Sequence, residues 1–80
     1  MEGRHVSRLL EAVGAEAARI AEAPVQLVSI TFDWMAAPQG AGATSVEITR
    51  ATRTLVFSTA QLRDGARLVC AASAVHRIVE

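Results

Sequence analysis

The sequence predicts an α+β domain in which one long helix packs on an antiparallel β-meander of about four strands. Three observations carry this. An Ala-rich stretch ahead of Pro24 repeats apolar residues at helical spacing. The remainder alternates apolar and polar residues with period two, in runs bounded by Pro, Gly and Asp. Three of the junctions are too short for crossover connections, so successive strands must run antiparallel with the helix on one face. Eighty residues make a single domain, 1–80.

The helix is expected from His5 to Ala23. Val6, Leu9, Leu10, Val13, Ala17 and Ile20 form its apolar stripe, while Arg8, Glu11, Ala15, Arg19 and Glu22 lie away from it. Gly14 is discordant, costing about 1 kcal/mol against Ala inside a helix, and suggests close packing against a backbone. Pro24 ends the helix because the residue before a proline is pushed out of the α region. In residues 25–35, Val28, Ile30, Phe32 and Trp34 alternate with Ser29, Thr31 and Asp33, the pattern of a half-buried strand. Residues 36–43, with Pro38, Gly40 and Gly42, are the longest loop signal. Residues 44–51 form the next strand, Val46 and Ile48 inward, Glu47 and Thr49 outward. Between Arg50 and Arg53 no Gly, Pro or Asn marks a turn, so a bent continuous strand and a turn are both compatible with the residues.

The C-terminal third is a hairpin. From Thr52 to Leu62, Leu55 and Phe57 face one way and Val56, Ala60 and Leu62 the other. Arg63-Asp64-Gly65-Ala66 supplies the turn, since Gly tolerates the positive φ of a tight hairpin. The last run sets Leu68, Cys70, Ala72, Ala74 and Ile78 against Val69, Ala71, Val75 and Val79. Both faces are largely apolar and call for cover on both sides. One helix covers one face, so a second subunit is expected to complete the core. Composition agrees: the chain is 51% hydrophobic and 20% charged, yet one this short leaves about 40% of its extended-chain surface exposed.

Several function classes fall away. Eight basic and eight acidic residues give no net charge to steer the chain to nucleic acid, and three aromatics offer little base stacking. No apolar run reaches membrane-spanning length, and MEGRHVSRLL lacks the apolar core of a signal peptide. The single Cys70 excludes an internal disulfide and fits a reducing, cytoplasmic setting. Two His and one Cys make no metal-ligand spacing, and no P-loop, GxGxxG or GxSxG occurs.

Three segments carry a family resemblance. RTLVFSTAQLRDGARLVCAASAVHRIV resembles the last hairpin of small hot-dog acyl-CoA thioesterases, VSITFDWMAAPQGA their earlier strand and loop, and LLEAVGAEAA the helix of the phenylacetate-pathway type. The resemblance covers nearly the whole chain as pattern rather than identity. It implies a hot-dog fold, at least a homodimer, no cofactor beyond the CoA of the substrate, and hydrolysis of an acyl-CoA or acyl-carrier thioester. It places Glu11 as base or nucleophile and the helix start, with Gly3 and Arg4, near the thioester carbonyl. A thioester needs an activated water or a carboxylate attack, with N–H donors for the oxyanion. Where the family has His-Gly-Gly this chain reads Glu2-Gly3-Arg4, and the family's first strand has no counterpart ahead of the helix. Arg53, at the family's Gly-Arg position, would contact a CoA phosphate.

The residues also allow plainer readings. Helix geometry puts Glu11 roughly 150° from the stripe's centre, which suits a solvated carboxylate as well as a cleft residue at a subunit interface. Arg53 reads first as a surface arginine on a strand. His5 marks the helix start, His76 a partly buried strand position, Cys70 a small apolar filler and Trp34 a core or interface anchor. The alternative function is a non-catalytic relative that binds an acyl or aromatic ligand or serves as an assembly partner.

Overall fold

Helix α1 (Gly3–Ala21) forms because its apolar residues recur on one face of an alanine-rich run. His5, Leu9, Val13 and Ala17, spaced by four, are its buried positions. Arg8, Glu11, Ala15, Arg19 and Glu22 are exposed, as the spacing predicts, and Ile20 is exposed at the far end. The structure is a computed structural model and describes residues 3–36 and 42–79. The helix begins two residues before the expected His5 and stops at Ala21. Glu22 adopts φ 54, and the Ala23 N–H donates to the Ala18 carbonyl (3.4 Å), closing a Schellman-type end just ahead of Pro24.

Four strands follow: β1 (Val25–Trp34), β2 (Ala43–Ala51), β3 (Leu55–Asp64) and β4 (Arg67–Ile78). They make one antiparallel sheet in the order β1-β4-β3-β2. Strands β2, β3 and β4 are the expected meander, and β1 joins on its far side, beside β4. This places the two most buried strands, β3 and β4, in the interior of the sheet, where both edges of each are paired. Pro38 and Gly40, read as loop, lie outside the described residues.

One sheet face lies under α1. Across the strands it carries Trp34–Cys70–Leu62–Thr44, then Phe32–Ala72–Ala60–Val46, then Ile30–Ala74–Ser58–Ile48. Leu9 and Val13 complete the core with Ala60, Leu62, Val69, Cys70, Ala72 and Ala74, and Ile30, Phe32, Trp34 and Val46 pack around it. The opposite face carries Asp33–Ala71–Gln61–Ser45, Thr31–Ser73–Thr59–Glu47 and Ser29–Val75–Phe57–Arg50. That face is mostly small and polar, with its apolar surface gathered at Leu55, Phe57 and Val75.

Three bulges break the alternation that the sequence suggests. Val28 is the extra residue in β1 and is 48% exposed instead of facing inward with Ile30. Thr49 is the extra residue in β2, its hydroxyl donating to the Phe57 carbonyl (3.2 Å). Val69 is unpaired in β4 and turns into the core, while its carbonyl accepts from the Met35 N–H (2.8 Å) and the Ala36 N–H (3.3 Å).

The junction without a visible turn residue is a turn after all, built by Thr52. Its N–H donates to the Leu55 carbonyl (2.8 Å) and its hydroxyl accepts from the Leu55 N–H (3.0 Å). In the last hairpin Asp64 pairs with Arg67, so the two loop residues are Gly65 and Ala66. Gly65 has φ 64, at the position where a type II′ turn takes its glycine. Gly42 also has positive φ (68), and a β-carbon there would sit 2.9 Å from the Arg63 carbonyl oxygen.

Two substitutions should move stability in opposite directions. Glu22→Gly relieves a left-handed residue at the helix end and should raise the unfolding free energy by about 1 kcal/mol. Gly42→Ala should lower it by roughly 1–3 kcal/mol through strain and contact with backbone. Urea unfolding of the two variants beside the parent protein measures both.

Candidate functional site

The chain passes from Ala21 to Val25 in one tight connection, and Val25 pairs with Ile78. The helix therefore runs back along the sheet, starting over the Cys70–Leu62 end and finishing over the Ile78 end. Its first turn contains no acidic residue, so the amide N–H groups at its start keep their partial positive charge for an anion.

The sheet row below that start has polar atoms of its own. Trp34 Nε1 and Thr44 Oγ1, at its two ends, are sealed from solvent and have no hydrogen-bond partner among the described residues. His5, read from sequence only as a helix-start residue, is buried on the sheet-facing stripe. Phe32 and Trp34 stack with ring centroids 6.4 Å apart, which fixes the indole against the core.

The expected site residues are not gathered in one place within a subunit. Gly3 and Arg4 belong to the first turn of α1, and their side-chain surroundings lie outside the described residues. Glu2 lies outside them as well. Glu11 is exposed and sits eight residues further on, about 12 Å along the axis. Its side chain projects away from the sheet. Arg53 is exposed in the turn between β2 and β3, at the sheet end where the helix finishes. Leu62 is seven residue steps from Leu55, so Arg53, in the turn just before Leu55, lies roughly 23 Å along the sheet from the row beneath the helix start.

Other charged groups are peripheral. Arg19 hydrogen-bonds Glu16 through Nε (3.0 Å) and also through its terminal nitrogen, and this holds the Glu16 carboxyl below its ordinary range. A depression of about 190 Å³, lined by Ser45, Val46, Glu47, Thr59 and Gln61, follows the outer side of the β2–β3 pair. It lies across the sheet from Glu11. Among the described residues no group of three or more His, Cys, Asp or Glu side chains could hold a metal ion, and no helix is long and apolar enough to cross a membrane.

A second polar position lies beneath the helix. His76, read from sequence as partly buried, and Ser58, which sequence reasoning did not single out, are almost fully buried, at 3% and 2% exposure. Gly14 faces His76: a β-carbon on Gly14 would lie 3.8 Å from His76 Nε2. The glycine thus meets an imidazole at ordinary contact distance, and no close approach of backbone accounts for it. Alternation in β4 could have placed His76 inward, since Cys70, Ala72 and Ala74 share its parity.

No family model matches the sequence, and no curated protein matches it. Among solved structures the chain is similar to a phenylacetic acid degradation-related protein of Ralstonia eutropha JMP134, assigned by inference as a thioesterase. The TM-score is 0.71 at 16% identity, over 86% of this chain and 58% of that one. At that identity the likeness speaks to the fold, which is of the hot-dog type. The chain spans less than two thirds of the length of the structure it matches.

Cys70 should behave as a buried apolar residue. Burial and the nearby negative charge of Asp33 push its thiol above the ordinary value, and its Sγ lies 3.7 Å from the Ala71 carbonyl oxygen. Thiol labelling of the native protein at neutral pH should therefore be slow and should become rapid in denaturant. Prompt labelling of the folded protein would contradict the placement of this residue.

Proposed function

We propose that this chain is an acyl-CoA thioesterase-like hydrolase, acting on a CoA or acyl-carrier thioester in the cytoplasm as a homodimer or higher homo-oligomer. Glu11 serves as general base toward the attacking water, or as nucleophile. The amide groups at the helix start, with Gly3 and Arg4, receive the carbonyl oxygen as it becomes an oxyanion. Arg53 contacts a phosphate of CoA. The observation that carries this reading is a hot-dog fold whose helix starts without an acidic residue and presents an exposed glutamate two turns later.

The separations within one subunit favour a site shared between subunits. Glu11 and the helix start are about 12 Å apart along one axis, too far to act on one carbonyl. A second copy can set its Glu11 against the helix start of the first. Exposed Leu27, Val28 and Met35, on or next to edge strand β1, together with Ile20 and Val79, support self-association. The exposure of Glu11 equally suits a non-catalytic hot-dog protein that binds an acyl or aromatic ligand or acts as an assembly partner.

Hydrolysis of acetyl-, medium-chain, long-chain and phenylacetyl- or benzoyl-CoA, followed by trapping of the released thiol, decides between the readings. The expected result is turnover on part of the panel and a loss of about 100-fold or more in kcat with Glu11→Gln. Turnover that survives the substitution removes Glu11 from catalysis. No turnover from folded, oligomeric protein supports the binding or assembly reading.

A further inference from the structure

The mechanism proposed above makes no use of the buried pair Ser58 and His76. The two side chains lie on neighbouring strands of the same sheet face, Val56 opposite His76 and Ser58 opposite Ala74. They are diagonal neighbours, with β-carbons roughly 7 Å apart. His76 Nδ1 and Ser58 Oγ are each sealed from solvent without a hydrogen-bond partner among the described residues. Above them the helix carries Gly14, on which a β-carbon would lie 3.8 Å from the ring's other nitrogen, Nε2. Two buried polar atoms at this spacing supply the two polar partners that an internal water needs.

We propose that Ser58 Oγ and His76 Nδ1 together hold one internal water molecule between them beneath α1, and that this water-bridged pair makes the docking of α1 acid-sensitive. The surroundings of His76 explain the second part. Leu27 on β1 and Val56 on β3 are its cross-strand neighbours, and Ala74 and Ile78 flank it on β4. On α1, Glu11, Arg19 and Glu22 are exposed, and Glu16 is engaged by Arg19. His5, on the helix's sheet-facing side, is nine residues before Gly14, about 13–14 Å along the axis. On β2, Glu47 and Arg50 point to the outer sheet face, as does Asp33 on β1; β3 carries no charged residue from Leu55 to Leu62; on β4, Arg67 and Arg77 are exposed. No described carboxylate faces the ring to balance a positive charge.

Burial accordingly lowers the His76 pKa from its ordinary 6.5. The unfolded chain takes up this proton first, so the contribution of His76 is fully present above about pH 6.5 and is lost as the pH falls below it.

Imidazole nitrogen NMR, with the two histidines distinguished by a His5→Gln variant, reads the ring directly, and denaturant unfolding between pH 7.5 and 5 reads the linkage. The expected result is a His76 ring that stays neutral in the folded protein below pH 6.5. The unfolding constant should rise more steeply with acid than in His76→Gln, with His76→Leu as a second non-titrating variant. A high-resolution crystal structure should place a water on both Nδ1 and Oγ, absent in Ser58→Ala. A His76 ring titrating at its ordinary value, or parallel pH profiles in parent and variants, would overturn the acid sensitivity. A direct Ser58–His76 hydrogen bond with no water between them would overturn the water site.

Discussion

The structure depends on seating one helix stripe on a floor of small side chains. His5, Leu9, Val13 and Ala17 descend onto a sheet whose central strands offer Ala60, Ala72 and Ala74 flanked by Leu62, Cys70 and Val56. The alanines let the helix approach, and the larger residues close the sides. Each fully buried leucine or valine contributes about 1.5–3 kcal/mol over its exposed state. These few contacts form the principal core of the described fold, because the outer sheet face is largely polar. The strand order follows from the same requirement: β3 and β4 supply the floor, and each has a strand on both sides.

The bulges adapt this floor to the helix. Val69 enters the core only because β4 gains a residue opposite the Leu62–Arg63 step, and its carbonyl then anchors Met35 and Ala36 as the chain leaves β1. The bulge at Val28 has the opposite effect and turns an apolar residue outward on an edge strand. Such irregularity interrupts the edge ladder on which another strand could extend the sheet. The exposed apolar residues near β1 therefore suit side-chain packing against a partner better than simple strand addition.

Much of the architecture was legible because the two periodicities are strong. Arg8, Glu11, Ala15, Arg19 and Glu22 fall on the solvent side of α1 as their spacing requires, and the alternation of β3 separates Val56, Ala60 and Leu62 from Leu55 and Phe57. What escaped reading depends on hydrogen bonds rather than on pattern. The Thr52 turn uses a hydroxyl where Gly, Pro or Asn was sought, Glu22 takes a left-handed conformation usual for Gly, and each bulge inserts one residue without a compositional sign. Placing β1 beside β4 is a tertiary choice that local sequence does not encode. At the candidate site, the helix and the exposure of Glu11 could be read from spacing. The distances from Glu11 and Arg53 to the helix start could not, because they depend on which way the helix runs along the sheet.

Those distances make the functional account an account of assembly. On the proposed assignment the carboxylate of Glu11 and an oxyanion cradle on the same rigid helix cannot converge, so activity would require two copies to complete each other. Subunit mixing tests this directly, using Glu11→Gln together with Gly3→Pro, which removes an amide N–H while fitting a helix start. Each variant alone should be inactive. A mixture allowed to exchange subunits should recover up to about one quarter of the parent thioesterase activity, because half the dimers are mixed and each mixed dimer holds one intact site. An active parent whose two inactive variants show no recovery, despite demonstrated exchange, would contradict the shared site.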